Sequence, residues 1–213
     1  MFRAVNDVAD LVFSRSCAGC DLLGEILCPR CVRALRAEPR IIKTIDLTGI
    51  HAGLQIPVGS ALPYFGVARS AISDYKNGPN PGLVAHLGAP LSEAIRLILK
   101  RVNKRPGDVV VVPVPSRRSS IRKRGFDPVA KLLAATHSGD DTFRLQPVLR
   151  DVRRSGSTRR LSARERHGRA RGAFDVRIDL PPRPCIIVDD VVTTGATIHE
   201  AAATLVIQGS ELV

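Results

Sequence analysis

The apolar residues of this chain follow two spacings, one typical of helices and one typical of strands. A four-residue spacing over 83–103 predicts an amphipathic helix, and helical spacing returns in 123–136 and in 197–207. Two short continuous apolar runs, 108–115 and 185–188, are typical of strands buried on both faces of a sheet. Strands and helices therefore alternate, which predicts an α/β domain with a mostly parallel sheet flanked by helices.

The remaining segments have weaker patterns. The sequence VRALRAEP predicts a short helix ended by Pro39, residues 40–62 predict short strands or loops, and a further helix is expected to start at about Ala68. Residues 150–171 are rich in Arg and Ser and almost without large apolar side chains, which indicates either a mobile loop or an exposed helix. The first residues fit one face of a short amphipathic helix, with apolar positions at Val5, Val8, Leu11 and Val12.

Four of the five cysteines form two CxxC pairs within fifteen residues: Cys17, Cys20, Cys28 and Cys31. Two such pairs are the usual ligand set of a structural zinc site, in which four thiolates surround the ion and leave no open position for catalysis. A disulfide interpretation is less favoured, because the chain is expected to stay in a reducing compartment. We therefore expect a small N-terminal zinc module.

Charge is concentrated in the middle of the chain. The net charge is +12, and residues 96–171 hold 21 Lys and Arg against 6 Asp and Glu. Such a block favours an anionic partner, either a phosphorylated small molecule or nucleic acid, although a solvated basic face is the alternative. Only 4% of residues are aromatic, so the sequence offers no obvious platform for stacking bases.

The chain is expected to be cytoplasmic. No apolar run is long enough to span a membrane, and Asp7 and Asp10 interrupt the N-terminal apolar residues where a signal peptide would be continuous. We therefore expect no membrane insertion, while the oligomeric state stays open.

The segment CIIVDDVVTTGATIHEAA (185–202) carries the clearest chemistry. Its apolar strand ends in Asp189 and Asp190, and small residues then lead into a helix N-terminus, where free N–H groups favour an anion. Carboxylates beside a phosphate need a partner other than that phosphate, and the hydroxyls of a ribose supply one. The segment therefore predicts a ribose 5-phosphate site, while a pair of ordinary turn acids is the structural alternative.

The motif VDDVVTTGAT resembles the phosphoribosyl pyrophosphate (PRPP) binding motif of type I phosphoribosyltransferases. The order of motifs from Cys17 onward resembles the ComF family, the double-zinc-ribbon or GntX-like phosphoribosyltransferases: cysteine pairs, Tyr75-Lys76, a PVP strand end, an RGF motif, and an Arg-rich segment ending in GAF. The resemblance implies a type I phosphoribosyltransferase-like domain over 41–213 and a zinc module over 1–40. Residues 41–80 would form a hood or extension.

The resemblance also implies roles for individual residues. Asp189 and Asp190 would hold the ribose hydroxyls and act in catalysis, with Mg²⁺ accompanying PRPP. The other implied PRPP contacts are Thr193, Thr194, Gly195, Ala196 and Thr197. The implied pyrophosphate contacts are Arg122, Lys123, Arg124 and Gly125. Residues 150–171 would stand where these enzymes carry a loop that closes over the reaction.

The chain departs from the family where the acceptor is expected to bind. Asp127-Pro128 follows RGF in place of Asn-Gln, and the last sheet strand is expected to be short or missing near 210–213. Three functions therefore remain open: transfer of a phosphoribosyl group to a nitrogenous acceptor, non-catalytic binding of single-stranded DNA as in competence or DNA uptake, and sensing of PRPP or a nucleotide.

Overall fold

The computed structural model describes residues 16–36, 38–78, 80–137, 143–153, 172–177 and 183–213, and every structural statement below concerns these residues. The helices are α1 (Pro29–Ala34), α2 (Gly66–Asn77), α3 (Leu83–Arg101), α4 (Arg118–Arg124), α5 (Pro128–His137) and α6 (Ala196–Ile207), with a 3₁₀ turn at Pro106–Asp108. The strands are β1 (Arg40–Asp46), β2 (Gln55–Ser60), β3 (Val110–Pro113), β4 (Arg144–Leu145), β5 (Leu149–Asp151), β6 (Phe174–Val176) and β7 (Cys185–Val188). The N-terminal helix predicted from 5–12 lies outside the described residues.

The central sheet has three parallel strands in the order β4-β3-β7. Both predicted apolar runs form strands of this sheet, and every residue of β3 is buried. A single parallel bridge from Leu212 to Cys185 follows on the far side of β7, where the short last strand was expected. The prediction of an α/β fold with a parallel sheet is therefore confirmed. The two antiparallel pairs, β1–β2 and β5–β6, lie outside this sheet.

Helices cover one face of the sheet, and a hairpin with a helix covers the other. On one face, apolar residues of α3 and α5 pack against Val109, Val111 and Ile186. On the other face, α6 and the hairpin β1–β2 pack against Val110, Val112 and Cys185 in a second core. Alternate residues of β3 thus point into two different cores, which is why the run from 109 to 112 is apolar at every position.

Two stretches differ from the sequence prediction, one because of local turn chemistry and one because of strand pairing. The helical spacing of 123–136 belongs to two helices, α4 and α5, since Gly125 takes a left-handed conformation (φ +81°) and Pro128 opens the next helix. The prediction of a loop or exposed helix for 150–171 is wrong at its start. Arg150 and Asp151 lie in β5, which pairs with β6, and residues 154–171 lie outside the described part.

The cysteines and their surroundings, which we call the cysteine module (residues 16–36), pack on α2. Cys17, Cys28 and Cys31 share a buried cluster with Ala71 and Tyr75 of α2 and with the first turns of α3. The helix predicted to end at Pro39 is α1, which starts at Pro29 inside the second CxxC pair and already ends at Ala34. The module is thus fixed to the rest of the protein through α2.

Candidate functional site

The four paired cysteines converge on one point. The Sγ atoms of Cys17, Cys20, Cys28 and Cys31 all lie within 4.8 Å of one another, and the Cys20 and Cys28 sulfurs are 3.7 Å apart. Backbone N–H groups turn toward these sulfurs, since Cys28 N and Gly19 N donate to the Cys17 sulfur at 3.3 and 3.4 Å. Such an arrangement is typical of two CxxC knuckles around one ion.

The donor set fits a zinc ion. Burial opposes the Cys17 thiolate, but N–H groups of Cys28, Gly19 and Cys20 outweigh it and lower the pKa of Cys17 to about 6. Four thiols with one already favoured as thiolate match the ligands and geometry of a structural zinc site. The four residues predicted as metal ligands are thus brought together, and the cluster could bind structural zinc. Such an ion would stabilise the fold and would have no open position for a substrate.

The second site starts at the carboxyl end of β7. Asp189 is largely buried, and this burial together with the neighbouring Asp190 carboxylate raises the pKa of Asp189 to about 6. The Asp190 N–H donates to the Asp189 carboxylate at 2.8 Å, which fixes the turn between the two acids. A carboxylate held in an apolar surrounding gains from any ligand hydroxyl that can donate to it.

Asp190 has a partner from a distant part of the chain. The ammonium of Lys76, in the last turn of α2, lies 2.7 Å from the Asp190 carboxylate, and both side chains are about one quarter exposed. From the sequence, Lys76 was left open between an ordinary exposed lysine and a phosphate ligand, and it was not among the predicted site residues. The contact places a cation beside Asp190, and the charge of Lys76 also acts on Asp189.

The loop after the acids, residues 193–197, is the segment that the sequence predicted to hold the 5-phosphate. Gly195 caps α6 in a left-handed conformation (φ +86°) and is buried, whereas Thr193, Thr194, Ala196 and Thr197 are exposed. The first turn of α6 has no side-chain cap from Gly195 and no acidic residue, and among the described residues one side chain, the Thr194 hydroxyl, accepts from its N-terminal N–H groups, at Ala196. We call these five residues the phosphate loop.

The basic residues predicted for pyrophosphate stand apart from the phosphate loop. Arg122, Lys123 and Arg124 lie in α4, which follows β3, and Gly125 ends that helix. β3 and β7 are parallel neighbours, and the Val114 N–H donates to the Val188 carbonyl at 2.8 Å, so both strand ends lie at one edge of the sheet. Within the described part of the chain, no hydrogen bond or ion pair joins α4 to residues 189–197. The pyrophosphate assignment stays a prediction.

The departure at Asp127 has a local explanation. Its carboxylate accepts N–H groups of Val129 and Ala130 at the start of α5, and it also accepts the Ser116 N–H at 2.7 Å. Asp127 therefore caps α5 and fixes the segment that leaves β3. An acidic residue in this position stabilises the turn after α4.

Three features near the site have contacts that were not predicted from the sequence, although Arg153 lies in the segment 150–171 that the resemblance placed over the reaction. Lys43 of β1 donates to the Thr193 carbonyl at 2.8 Å, and Arg153, held by Asp151, is one of the charges that act on Asp189. Tyr64 and Phe65 are 46% and 69% exposed. Both aromatic side chains line a largely apolar cavity of about 440 Å³ that also reaches Lys76, Asp189 and Asp190. These residues are far from the motif in sequence, so only the fold reveals them.

Comparison with known proteins gives relatives named for DNA utilization and competence. The chain is 29% identical to DNA utilization protein YhgH of Salmonella typhimurium, over 88% of this chain and 87% of the relative. It is 26% identical to YhgH of Escherichia coli strain K12 over the same shares. It is 28% identical to Competence protein F of Haemophilus influenzae, over 50% of this chain and 48% of the relative. This homology supports a relationship with the ComF family.

The other comparisons give no match. No family model matches the chain, and no solved structure matches it. The parallel α/β sheet is confirmed, whereas the type I phosphoribosyltransferase fold therefore stays a prediction. Within the described residues, no helix is both long enough and apolar enough to cross a membrane.

Proposed function

We propose that this protein acts in DNA uptake or utilization and that it binds a ribose 5-phosphate, with PRPP as the expected ligand, at the carboxyl end of β7. The names of its relatives, DNA utilization protein and Competence protein F, support the proposed part in DNA uptake or utilization. One observation supports the site most strongly: the largely buried Asp189 and the partly exposed Asp190 are followed directly by an exposed, hydroxyl-rich loop and the N-terminus of α6. The proposal includes a type I phosphoribosyltransferase-like domain over 41–213 behind a module over 1–40.

The two halves of the site suit the two ends of this ligand. Ionised Asp189 and Asp190 accept hydrogen bonds from the vicinal ribose hydroxyls, and the phosphate loop offers backbone N–H groups and Thr hydroxyls to the 5-phosphate. Mg²⁺ prefers carboxylate and phosphate oxygens, so the Asp189–Asp190 pair fits a magnesium ion that arrives with a pyrophosphate. In a transfer reaction such an ion would neutralise charge on the leaving pyrophosphate.

Binding is tested by thermal shift. PRPP with Mg²⁺ should raise the melting temperature of the wild-type chain by several degrees, because a ligand that binds only the native state stabilises it. The double variant Asp189→Asn, Asp190→Asn should lose this shift. The matched control Glu93→Gln, Asp108→Asn removes the same charge at two exposed positions and should keep it. The absence of a shift with PRPP and with nucleotides would contradict the proposal.

Transfer is a separate step with its own measurement. Release of pyrophosphate from PRPP in the presence of one of a panel of nitrogenous bases would establish a phosphoribosyltransferase. A thermal shift without release would identify a protein that binds PRPP or a nucleotide as a sensor. The Asp189→Asn, Asp190→Asn variant is the control for background hydrolysis of PRPP, since both binding and transfer require the carboxylates.

Single-stranded DNA binding is a second candidate function, favoured by the exposed cations of α4 and by the relatives' names. Arg117, Arg118, Arg122 and Lys123 are exposed, and no acid of the described chain pairs with them. Tyr64 and Phe65 supply the exposed aromatic rings that the composition did not predict, and such rings stack on bases. Phosphate contacts by the cations would make the affinity fall steeply with salt.

A binding titration with a labelled single-stranded oligonucleotide tests this function. Charge reversal at Arg122, Lys123 and Arg124 should abolish binding at moderate salt, and Tyr64→Ala with Phe65→Ala should weaken it about tenfold. Charge reversal at Lys100 and Arg101, which are exposed at the end of α3, is the control and should have a smaller effect. Undetectable or salt-insensitive binding would reject the second candidate.

A further inference from the structure

Lys43 lies in a strand that an irregularity turns toward the phosphate loop. The pairing of β1 with β2 runs from Ile41 opposite Gly59 directly to Lys43 opposite Val58, so Ile42 is an extra residue in β1. Such a bulge changes the direction of the side chains that follow it. Lys43 then shares a face of β1 with Ile45, which is buried in the core beneath α6.

This face of β1 lies directly against the phosphate loop. A Cβ atom added to Gly195 would lie 3.2 Å from the Ile45 Cδ1 and 3.6 Å from the Lys43 Nζ. The Lys43 ammonium also donates to the Thr193 carbonyl at 2.8 Å. The cation therefore stands beside the loop backbone, at the same end of α6 that offers its free N–H groups.

The charge of Lys43 is not balanced by an acid. Lys76 pairs with Asp190 and Arg153 pairs with Asp151, whereas no carboxylate of the described residues lies within ion-pair distance of Lys43. A cation beside a helix N-terminus is unfavourable, because the positive end of the helix dipole lies there. The Thr193 carbonyl takes one of the three ammonium hydrogens, which leaves two for another acceptor.

We propose that Lys43 is a phosphate-binding residue whose ammonium contacts the anion held in the phosphate loop. This inference rests on the proposed ribose 5-phosphate site and adds to it a charged residue from β1, outside the loop. A bound phosphate removes the electrostatic conflict between Lys43 and the dipole of α6. It also accepts a charge-assisted hydrogen bond, which is stronger than a neutral one.

The test is calorimetric binding of ribose 5-phosphate to the full chain with its metal, compared with Lys43→Met, Lys43→Gln and Lys43→Arg. The first two variants should bind at least tenfold more weakly, and Lys43→Arg should stay within about threefold of wild type because it keeps the charge and donors. The affinity of Lys43→Met should also fall less with added salt than the affinity of wild type. Lys100→Met removes one exposed charge from α3 and should bind like wild type.

The outcomes separate this inference from the proposed function. If wild type binds ribose 5-phosphate and Lys43→Met and Lys43→Gln bind it equally well, the inference is overturned and the site stands. A second outcome would also overturn the inference. If Lys43→Arg binds ribose 5-phosphate as weakly as Lys43→Met, and the affinities of both variants depend on salt as that of wild type does, Lys43 only holds the Thr193 carbonyl. If wild type binds neither ribose 5-phosphate nor PRPP, both the site and the role of Lys43 are wrong.

Discussion

The cysteine module and the proposed ribose-phosphate site are assembled over very different distances in sequence. The four cysteines lie within fifteen residues, and their Sγ atoms all lie within 4.8 Å of one another. The ribose-phosphate site joins Asp189 and the phosphate loop to Lys43 and Lys76, which are more than one hundred residues away. All ligands of a local motif can therefore be predicted from the sequence. For a site at a sheet edge, only the residues that follow its own strand can be predicted in this way.

The two regions also differ in how they use charge. In the cysteine module, N–H groups point inward to the sulfurs and the cluster is mostly buried. In the phosphate loop, four of five residues are exposed and the N-terminal groups of α6 face solvent. The first arrangement encloses an ion and stabilises the fold, while the second leaves room for a ligand that comes and goes. The substitutions below separate effects on stability from effects on binding, and they are given from the largest expected effect to the smallest.

Loss of a cysteine should have the largest effect. Cys28→Ser should release the zinc ion and destabilise the protein by more than about 4 kcal/mol, because loss of a structural metal is among the most severe single changes. Metal content by mass spectrometry and denaturant unfolding measure the two effects. Cys185→Ala is the control, since Cys185 is buried in β7 outside the cluster and its loss should leave the metal content unchanged. Full metal content in Cys28→Ser would contradict the four-thiolate site.

Asp189 should make stability depend on pH in a direction opposite to that of a paired surface acid. Because its pKa is raised to about 6, the native state keeps a proton that the unfolded state releases near pH 4. Its contribution to stability is full below about pH 4 and is lost as the pH rises through 6. Between pH 4 and pH 7 the wild type should lose about 2–3 kcal/mol relative to Asp189→Asn.

Asp175 supplies the comparison for this measurement. Its hydrogen bond from Arg150 lowers its pKa, so its contribution is present at neutral pH and is lost as the pH falls through that lowered pKa. The wild type should therefore gain stability relative to Asp175→Asn as the pH rises. Unfolding curves at several pH values measure both differences. If the difference in unfolding free energy between wild type and Asp189→Asn did not change with pH, the pKa of Asp189 would not be raised.

Gly195 and Gly125 form a matched pair that tests how closely β1 packs on the phosphate loop. Both have a positive φ, so alanine is strained at either position by about 1 kcal/mol. A Cβ at Gly125 meets no atom within 4 Å, but at Gly195 it presses on Ile45 and Lys43. Gly195→Ala should therefore cost about 2 kcal/mol and weaken ribose 5-phosphate binding, while Gly125→Ala costs about 1 kcal/mol. Equal losses in denaturant unfolding would argue against this packing.

The sequence predicted the parts of the molecule that local chemistry determines. The apolar runs gave β3 and β7 because a strand buried on both faces needs apolar residues at every position. For residues 40–62 the weak alternation predicted short strands or loops but not the pairing of β1 with β2, and the pair β5–β6 was not predicted. Tyr75-Lys76 stood among the motifs of the resemblance, but the contacts of Lys43 and Lys76 depend on how β1 and α2 pack, so no spacing in the sequence indicated their partners.

The ion pair between Lys76 and Asp190 should have the smallest effect, although it links the two regions. Lys76 belongs to α2, whose inner face packs on the cysteine module, so the pair connects that packing to the carboxylates of the ribose-phosphate site. Both side chains are about one quarter exposed, and solvent screens such pairs to about 0.5–1 kcal/mol. A double-mutant cycle of Lys76→Met and Asp190→Asn in denaturant unfolding measures the coupling. The more exposed pair of Lys104 and Glu211, at 3.1 Å, is the control and should give less. Zero coupling for Lys76 and Asp190 would mean that this ion pair does not stabilise the link between α2 and the carboxylates.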